Sequence, residues 1–415
     1  MNKEKKKIVI LGAGFGGLYA YKSIAKEFYD DEIEVTIVNR NNYFLFTPML
    51  HEVATGSVGH HQVVESVRQI VHKDHTKFHV AELLSVDCEE KVVKTSVGEL
   101  SYDILIMALG ATTNFFNAKG AQEYSLALKD LHDAIKIRNT IIDIFEKASE
   151  IKDEVERKKV LSFAIVGGGA TGVELVSEMA SLFSNTFSKY YRDIIKKSDI
   201  NLFLVNQGAE ILAPFDKKLR DKALSIIKDQ GVNVMLNTGV KEVKKDGIVL
   251  NDDSFLQAGT VIWTAGVKSN PPMFTCAVPI DKWGRITVNE FLQIPILPEV
   301  FVLGDMASLL NKEGMPLPML AQVAEKQGLH TGKNIKLLLE NKKMLPFVYK
   351  SRGQLASLGR YEAVADIAGF KFSGFLAWFI WRTIYLFKFI SNSKKIKIAA
   401  DWTVNLFYPH DVTRA

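Results

Sequence analysis

Two glycine-rich segments have the spacing that brings backbone amides up to a phosphate group. The first runs Gly12-Ala13-Gly14-Phe15-Gly16-Gly17, and the second runs Gly167-Gly168-Gly169-Ala170-Thr171-Gly172. Glycines at these intervals allow a tight turn, and the helix that follows presents its positive N-terminal end to a pyrophosphate. One such segment is weak evidence, but two in one chain predict two dinucleotides. FAD and a nicotinamide cofactor are the usual pair, because a hydride passes from one to the other.

Each glycine segment lies in a predicted strand–turn–helix–strand unit of an α/β fold. The first unit has strands at Ile8–Leu11 and Glu34–Val38 around a helix at Leu18–Phe28. The second has strands at Phe163–Val166 and Asn201–Val205 around a long helix from about Val173 to Lys197.

A later strand in each unit ends in a small residue and a glycine. These endings are Ala108 with Gly110 and Ala265 with Gly266. Because parallel strands bring ligands to their carboxyl ends, both pairs are predicted to approach a dinucleotide.

The residue that ends the second strand of such a unit is normally Asp or Glu, which accepts a hydrogen bond from a ribose hydroxyl. Here Asn39 and Asn206 take that place. An amide keeps the hydrogen bond but does not repel a 2′-phosphate. Arg40 follows Asn39 in the expected FAD half, whereas Asn206-Gln207-Gly208 offers no nearby cation. We therefore predict NADH as the preferred donor, with NADPH possible.

Composition predicts a soluble or peripheral protein of two or three compact units. The chain has 415 residues, of which 47% are hydrophobic and 24% charged, and its net charge of +5 is mixed along the sequence, so nucleic acid is not an expected partner. Cys88 and Cys276 are far apart and form no CxxC, so we expect two buried, unpaired thiols and no metal site. The basic segment Met1–Lys7 precedes an apolar run too short for a signal peptide, which predicts a cytoplasmic protein.

The same patterns predict the domain boundaries. Residues 1–120 and 275–345 would form an FAD-binding domain, and residues 160–274 an inserted NADH-binding domain. Residues 121–159 would be a helical connector without strands, because Ser125 to Lys159 is polar and helix-favouring. Residues 346–415 would be a carboxyl-terminal membrane-association and dimerisation module.

Four segments resemble the type II NADH:quinone oxidoreductases, within the disulfide-reductase-like flavoproteins with two Rossmann-like domains. They are Phe44–Gly56, the run Gly167–Glu174, the pair Gly304-Asp305 at the end of an apolar strand, and Ala321–Gly328, which is similar to the AQxAxxQG signature. The resemblance covers nearly the whole chain. It implies a respiratory enzyme that passes hydride from NADH to FAD and then two electrons to a membrane quinone.

The resemblance also implies residue roles. Thr47 and Pro48 would lie beside the flavin, and Asp305 would hold its ribityl chain. Glu174 would lie by the nicotinamide and flavin rings, and Gln322 would face the quinone headgroup, with Lys388 near it. From the residues alone, Glu174 could instead interact with a helix N-terminus, and Gln322 could be a packing residue.

Some other activities of this fold are not expected, because they need cysteines near the flavin, and two alternatives remain. Disulfide reductases need a reactive thiol near the flavin, and residues 41–56 contain no cysteine. Sulfide:quinone oxidoreductases also need cysteines that cycle sulfur. The remaining rivals are a soluble NAD(P)H:acceptor reductase of the ferredoxin-reductase type and a non-catalytic, redox-sensing flavoprotein.

The carboxyl-terminal segment Phe372–Ile390 is rich in aromatic residues but contains Arg382 and Lys388. Its uninterrupted apolar run, Phe375–Trp381, is far shorter than the ~20 residues that cross a bilayer. We predict an interfacial helix on the cytoplasmic face of the membrane, with the cluster Lys394, Lys395 and Lys397 attracted to anionic lipid. A buried dimerisation helix is the alternative, and a homodimer is compatible with both. Without a spanning helix, proton pumping is not expected.

Overall fold

Short apolar, β-branched runs form the strands of two parallel sheets in a computed structural model of the protein. The structure describes residues 5–29, 32–71, 75–408 and 412–414. Residues 1–4 of the predicted basic amino terminus lie outside this range. The chain divides into two units, which are described in turn.

The first unit comprises Met1–Leu45, Glu65–Thr112 and Val267–Lys350. Its six-stranded sheet is parallel except for one edge pair. Ile8 and Ile10 on the central strand are fully buried, as expected for a sheet covered on both faces. In spatial order the strands are Gln293–Ile294, Leu297–Val302, Ile104–Met107, Lys6–Leu11, Ile33–Asn39 and Thr76–Val80.

Two helices of this unit, Phe15–Glu27 and Ala321–Leu339, pack closely against each other. A Cβ on Gly328 would lie 2.4 Å from the Gly16 carbonyl oxygen, so a glycine is required at this crossing. The Ser23 hydroxyl donates to the Leu329 carbonyl at 2.9 Å. The contact fixes the helix that carries Gln322 against the first glycine segment. A short helix, Val67–Ile70, and a 3₁₀ turn, Gly304–Met306, complete the helices of the unit within the described residues.

An antiparallel three-stranded layer, Leu83–Asp87, Val92–Thr95 and Gly98–Ser101, also belongs to this unit. Strand Met273–Phe274 joins it in parallel with Leu83–Asp87, and the Cys88 amide donates to the Thr275 hydroxyl at 3.0 Å. This pairing brings Cys88 and Cys276 into a disulfide with Cα atoms 6.0 Å apart. The prediction of two unpaired thiols is wrong, because a parallel pairing between distant segments leaves no trace in cysteine spacing.

Reducing this disulfide is expected to lower the free energy of unfolding by about 2–4 kcal/mol, because the bridge closes a long loop in the unfolded chain. Urea denaturation with and without dithiothreitol measures the change. A Cys88→Ser, Cys276→Ser double variant should have the denaturation midpoint of the reduced protein, and dithiothreitol should not change it. Equal denaturation midpoints for oxidised and reduced wild-type protein would contradict the expectation.

The second unit comprises Phe46–Val64, Thr113–Gly266 and Ser351–Ala415. Its five strands are all parallel, in the spatial order Ser125–Ala127, Thr260–Trp263, Ser162–Val166, Asn201–Val205 and Val232–Met235. The strand Ser125–Ala127 corrects the prediction that residues 121–159 contain no strand. Its three residues carry no period-2 pattern, and pairing with Thr260–Trp263 decides its conformation. An antiparallel layer follows at Val240–Lys244, Gly247–Leu250 and Phe255–Gln257.

The helix after the second glycine segment is shorter than predicted. It spans Ala170–Leu182 and continues as a π turn, Phe183–Phe187, and a short helix, Ser188–Tyr190. Phe183 and Phe187 pack against Phe145 with ring centroids 5.0 and 4.2 Å away. This aromatic packing accompanies the widened turn that interrupts the predicted helix.

The first two chain portions of the second unit contain five further helices and two 3₁₀ turns within the described residues. They are Leu50–Ala54, Ala121–Tyr124, Leu131–Glu150, Glu154–Val160 and Lys217–Asp229, with 3₁₀ turns at Thr47–Met49 and Lys197–Asp199. Within the described residues, the remaining short strands are Tyr43–Leu45, Val64–Ser66, Ala111–Thr113, Val267–Ser269, Ile286–Thr287 and Ala307–Ser308.

The carboxyl-terminal segment begins with a three-stranded antiparallel sheet that the prediction did not include: Gly353–Ser357, Ala363–Ile367 and Phe370–Ser373. Helices Phe375–Lys388 and Asn392–Phe407 follow. The first starts later than the predicted Phe372, because residues up to Ser373 pair in the sheet and Gly374 turns the chain at φ +85°. Across the described residues, none of the helices has the length and apolarity needed to cross a membrane.

Candidate functional site

The first glycine loop, Gly12–Gly17, joins the strand Lys6–Leu11 to the helix Phe15–Glu27. Gly12 has φ +98°, and a Cβ there would lie 2.4 Å from the Ala108 carbonyl oxygen. A Cβ on Gly17 would lie 1.9 Å from the Gly12 carbonyl oxygen, whereas one on Gly14 would meet nothing within 4 Å. The loop is packed tightly on one side and open on the other.

The second glycine loop, Gly167–Gly172, repeats this geometry. A Cβ on Gly167 would lie 2.7 Å from the Ala265 amide nitrogen, and one on Gly172 would lie 2.0 Å from the Gly167 carbonyl oxygen. A Cβ on Gly169 would again meet nothing within 4 Å. In both loops the first and last of these glycines have no space for a side chain, whereas the middle one, Gly14 or Gly169, faces open space.

The helices after the two loops begin at Gly14 and Gly169 as N-caps. Neither cap makes a side-chain hydrogen bond, and neither first turn contains an acidic residue. Their first amide groups and positive dipole ends are therefore suited to an anion. Together with the open side of each loop, they fit the diphosphates of FAD and a nicotinamide dinucleotide.

Asn39 and Asn206 hold their glycine loops in the same way. The Asn39 side-chain oxygen accepts from the Ala13 amide at 3.1 Å, and the Asn206 oxygen accepts from the Gly168 amide at 3.0 Å. Their side-chain nitrogens donate to carbonyls of the following loops: Asn39 to Asn41, and Asn206 to Gly208 and Glu210. Each amide therefore already makes loop contacts that a carboxylate could not make in full.

The small residues predicted to approach the dinucleotides lie at the carboxyl ends of their strands. The Ala108 amide donates to the Leu11 carbonyl at 2.8 Å, and Gly110 turns the chain at φ +75°. Gly266 has φ +73°, and a Cβ there would collide with the Phe116 ring at 2.4 Å. Arg40, beyond Asn39, is exposed.

Gly304 and Asp305 form a 3₁₀ turn directly after the strand Leu297–Val302. The Gly304 amide donates to the Gln327 side-chain oxygen at 2.6 Å. Gln327 is buried, whereas Asp305 is half-buried. Gln327 thus anchors the turn that orients Asp305, a role that sequence reasoning did not assign.

Gln322 is the second residue of the helix Ala321–Leu339, and its side chain is half-buried. Lys388 is the last residue of the helix Phe375–Lys388 and is also half-buried. They belong to different units, so their predicted roles at the quinone stay predictions.

Thr47 and Pro48 form a 3₁₀ turn that leads into the helix Leu50–Ala54. The preceding Phe46 is fully buried and packs against Phe389 and Tyr385, with ring centroids 4.4 and 5.9 Å away. Thr47 is exposed. The turn is therefore held by its neighbour, and the threonine remains available for a ligand.

Glu174 lies on the buried side of the helix Ala170–Leu182. Its Oε1 accepts from the Ser357 amide at 3.1 Å, and its Oε2 lies 3.7 Å from His51 Nδ1. Burial raises the Glu174 pKa to about 8 and lowers the His51 pKa to about 3. At neutral pH the pair is therefore a protonated acid beside a neutral imidazole, and it is not an ion pair. As the fifth residue of its helix, Glu174 is not an N-terminal dipole partner.

Sequence reasoning missed three ionisable residues of this region. Glu52 and Glu178 interact electrostatically with Glu174, and Arg382 interacts with Glu52 and Glu178. Glu178 follows Glu174 by one helical turn, a spacing that was visible in the sequence. Arg382 was treated as an interruption of an apolar segment. The structure instead half-buries Arg382, and the charges of Glu52 and Glu178 offset the cost of burying its guanidinium.

A family model described as pyridine nucleotide-disulphide oxidoreductase matches residues 6–328, and a second, described as NDH2 C-terminal domain, matches residues 351–411. The chain is 31% identical over 388 residues to a Type II NADH:quinone oxidoreductase of Staphylococcus saprophyticus, covering 92% of this chain and 95% of that protein. The chain belongs to the type II NADH:quinone oxidoreductase family. A probable NADH dehydrogenase of Dictyostelium discoideum is 32% identical, with coverage of 99% and 91%.

Solved structures agree with the α/β flavoprotein fold of this family. NDH2 from Plasmodium falciparum in complex with NADH superposes with a TM-score of 0.90 at 23% identity, covering 99% of this chain and 100% of that one. A sulfide:quinone oxidoreductase from Aquifex aeolicus gives a TM-score of 0.75 at 16% identity, covering 92% and 90%. The predicted fold class and family are confirmed.

Proposed function

We propose that this protein oxidises NADH and reduces a quinone through bound FAD. Two glycine loops of one geometry, in a member of the type II NADH:quinone oxidoreductase family, carry the proposal. FAD, when bound, accepts a hydride and passes two electrons to a second substrate. The protein supplies the loops that bind the diphosphates, and a buried acid, Glu174, that can hold or release a proton near neutral pH.

Anaerobic stopped-flow mixing tests this activity. The purified protein is mixed with NADH and then with a short-chain quinone while the absorbance of the flavin is followed. Bleaching by NADH and recovery with quinone, each as fast as steady-state turnover, are expected. Bleaching without recovery would indicate a different acceptor, as in a ferredoxin-type reductase. Absence of bleaching would favour a non-catalytic flavoprotein.

The residue roles extend this proposal. The group that would hold FAD is the first glycine loop with Asn39, Arg40, Thr47, Pro48, Ala108, Gly110, Gly304, Asp305 and Gln322. The group that would hold NADH is the second glycine loop with Glu174, Asn206, Ala265 and Gly266. Gln322 and Lys388 would contact the quinone, and alanine at either position should raise the KM for quinone without slowing reduction by NADH. The domains would be residues 1–120 with 275–345, and residues 160–274, with 121–159 connecting them and 346–415 at the membrane.

NADH is expected to have a kcat/KM about tenfold higher than that of NADPH. This ratio corresponds to about 1.4 kcal/mol, the size of one modest electrostatic interaction. Asn206 is uncharged, and its amide binds backbone groups at Gly168, Gly208 and Glu210. It therefore does not repel a 2′-phosphate, but Asn206-Gln207-Gly208 offers no cation to pair with one, so NADPH loses the hydration of its phosphate without compensation. Steady-state kinetics with both donors and one quinone measure the ratio. Equal efficiencies would contradict the preference.

We further propose that the carboxyl-terminal helices attach the protein to a bilayer surface. Helix Phe375–Lys388 buries Ala377, Trp378 and Trp381, while an exposed face of the same helix carries Phe375, Leu376, Phe379 and Phe387. On the next helix Ile396 and Phe407 are also exposed. Lys394, Lys395 and Lys397 near its start suit anionic headgroups. Exposed aromatic residues beside cations are typical of interfacial helices.

Replacing Phe379 by glutamate is expected to weaken binding to anionic vesicles at least about tenfold, because one aromatic side chain contributes ~1.5–3 kcal/mol when buried. Phe255→Glu provides a matched control, since Phe255 is 47% exposed and Phe379 is 54% exposed. Vesicle co-sedimentation measures both. Equal binding of the two variants would contradict the membrane role of this face.

The cytoplasmic side of the membrane, the homodimer and the absence of proton pumping stay predictions. Sedimentation velocity in detergent tests the dimer. Proteoliposomes with a potential-sensitive dye test pumping, and protease accessibility in inside-out vesicles tests the side.

A further inference from the structure

Three glutamates with almost no exposed surface lie on two helices of the second unit. Glu52 belongs to Leu50–Ala54, and Glu174 and Glu178 belong to Ala170–Leu182. Their exposed fractions are 1%, 7% and 6%. The two helices pack against each other, and residues four apart on a helix share one face. We call these three residues the buried acid cluster.

Each carboxyl group of the buried acid cluster accepts a hydrogen bond from another part of the second unit. The Trp402 indole donates to Glu52 Oε2 at 2.7 Å, and the Ser57 hydroxyl donates to Glu178 Oε2 at 3.3 Å. The Ser357 amide donates to Glu174 Oε1 at 3.1 Å. A carboxyl group that accepts at one oxygen can carry a proton on the other, so these contacts tolerate both protonation states.

The cluster contains more acid than its cationic partner can neutralise. Arg382 interacts electrostatically with Glu52 and Glu178, and its guanidinium lies 4.1 Å from the ring centroid of Trp378 and 4.8 Å from that of Trp402. His51 is neutral, as described above. Burying uncompensated carboxylates is costly, so the cluster retains protons at neutral pH.

The electrostatic interactions of each member agree with this conclusion. Burial raises the pKa of Glu178, with Glu52 raising it further and Arg382 lowering it. Burial also raises the Glu52 pKa, and Arg382 opposes the shift. Tyr361 and Arg360 act on Arg382 with opposite signs. Glu174 and Glu178 therefore exchange protons near neutral pH, and Glu52 and Arg382 shift the pKa of Glu178 in opposite directions.

The proposed reaction consumes one solvent proton. NADH, one proton and a quinone give NAD⁺ and a quinol, because the hydride supplies two electrons and only one of the two hydrogens. We propose that Glu178 and Glu52, held around Arg382, form a proton store that resupplies Glu174 during each turnover. The Glu178 carboxyl gives its proton to the Glu174 carboxylate, Arg382 stabilises the resulting Glu178 carboxylate, and solvent returns the proton. Glu178 and Glu52 act through Glu174 as positioning residues. This inference rests on the proposed function for its role in turnover.

Glu178→Gln tests the store through the pH profile of the holoenzyme. At pH 6 the variant should turn over within about twofold of wild type, because solvent protons are abundant. At pH 7.5 it should be about tenfold slower, because Glu178 in wild type still carries protons there, whereas solvent protons are already about thirtyfold scarcer than at pH 6. Glu178→Asp should recover part of the alkaline rate. A profile for Glu178→Gln that parallels wild type would overturn the proposal.

Asp199→Asn is the matched control for lost stability. Asp199 is a fully buried carboxylate paired with Arg157 at 2.9 Å in the same unit. Its variant should lower stability and leave the shape of the pH profile unchanged. An alkaline shift as large as that of Glu178→Gln would assign both effects to stability and overturn the store. If Glu178→Gln does not fold, Glu52→Gln takes its place in every comparison.

Infrared difference spectra provide a measurement that needs neither NADH nor quinone. Titration of the purified protein from pH 6 to pH 9 should remove protonated-carboxyl absorption in wild type, and Glu178→Gln should lose less of it. Identical spectra would show that Glu178 does not change its protonation between pH 6 and pH 9 and would overturn the store. A wild-type protein that fails to reduce quinone would instead overturn the proposed function, and the infrared result would still decide whether the cluster stores protons.

Discussion

Gly17→Ala is expected to abolish stable FAD binding and to lower the stability of the protein. The added Cβ would lie 1.9 Å from the Gly12 carbonyl oxygen, which is a backbone atom of the same loop and cannot rotate away as a side chain could. The loop must open to relieve the clash, which costs about 1–3 kcal/mol or more and displaces the amides that would bind the diphosphate. Thermal unfolding and the ratio of flavin to protein absorbance after purification measure the two effects.

Gly14→Ala separates ligand binding from folding in the same loop. Its Cβ would meet nothing within 4 Å, so the thermal stability of the flavin-free protein should equal that of wild type. The methyl group would nevertheless occupy the open side of the loop, and the affinity for FAD should fall at least about tenfold. A Gly14→Ala protein that retains FAD as tightly as wild type would show that the diphosphate does not approach this side.

Glu174→Gln is expected to flatten the pH dependence of stability and to reduce turnover about a hundredfold, because an amide cannot exchange a proton. Burial raises the Glu174 pKa from 4.5 to about 8, so the folded state binds this proton more tightly than the unfolded state. The stabilisation is present below pH 4.5 and is lost as the pH rises to about 8. Denaturation by urea between pH 5 and pH 9 should show a smaller decline for the variant.

Glu313→Gln is the control for this measurement, because Glu313 is exposed and lies in a turn. Its stability should follow the wild-type pH dependence. If Glu174→Gln also follows wild type, Glu174 is ionised in the folded protein. The side-chain oxygen of glutamine can still accept from the Ser357 amide, so loss of that hydrogen bond does not confound the comparison.

The strands and the glycine loops could be predicted because their signals are local. The strand Asn201–Val205 matches its prediction, and Lys6–Leu11 extends the predicted Ile8–Leu11 by two exposed residues. A buried parallel strand appears in the sequence as a continuous apolar run, and the loop that follows has fixed glycine positions. Contacts between neighbouring residues thus decide both features.

Features made by distant contacts could not be predicted. The disulfide between Cys88 and Cys276 depends on the parallel pairing of Met273–Phe274 with Leu83–Asp87. The site predicted from the sequence lacked several residues for the same reason. Arg382 appeared as a charge that breaks an apolar segment, and only folding brings it to Glu52 and Glu178.

The two asparagines that hold the glycine loops also constrain how the nucleotide preference can evolve. Asn206→Asp would supply a carboxylate of the kind that usually binds a ribose hydroxyl, yet it would replace the donor that satisfies the Gly208 and Glu210 carbonyls with a second acceptor. The single substitution should therefore destabilise its loop before it improves selectivity. Strict discrimination against NADPH through residue 206 therefore requires a compensating change in residues 207–210, which makes a switch of donor preference at this loop a matter of several substitutions.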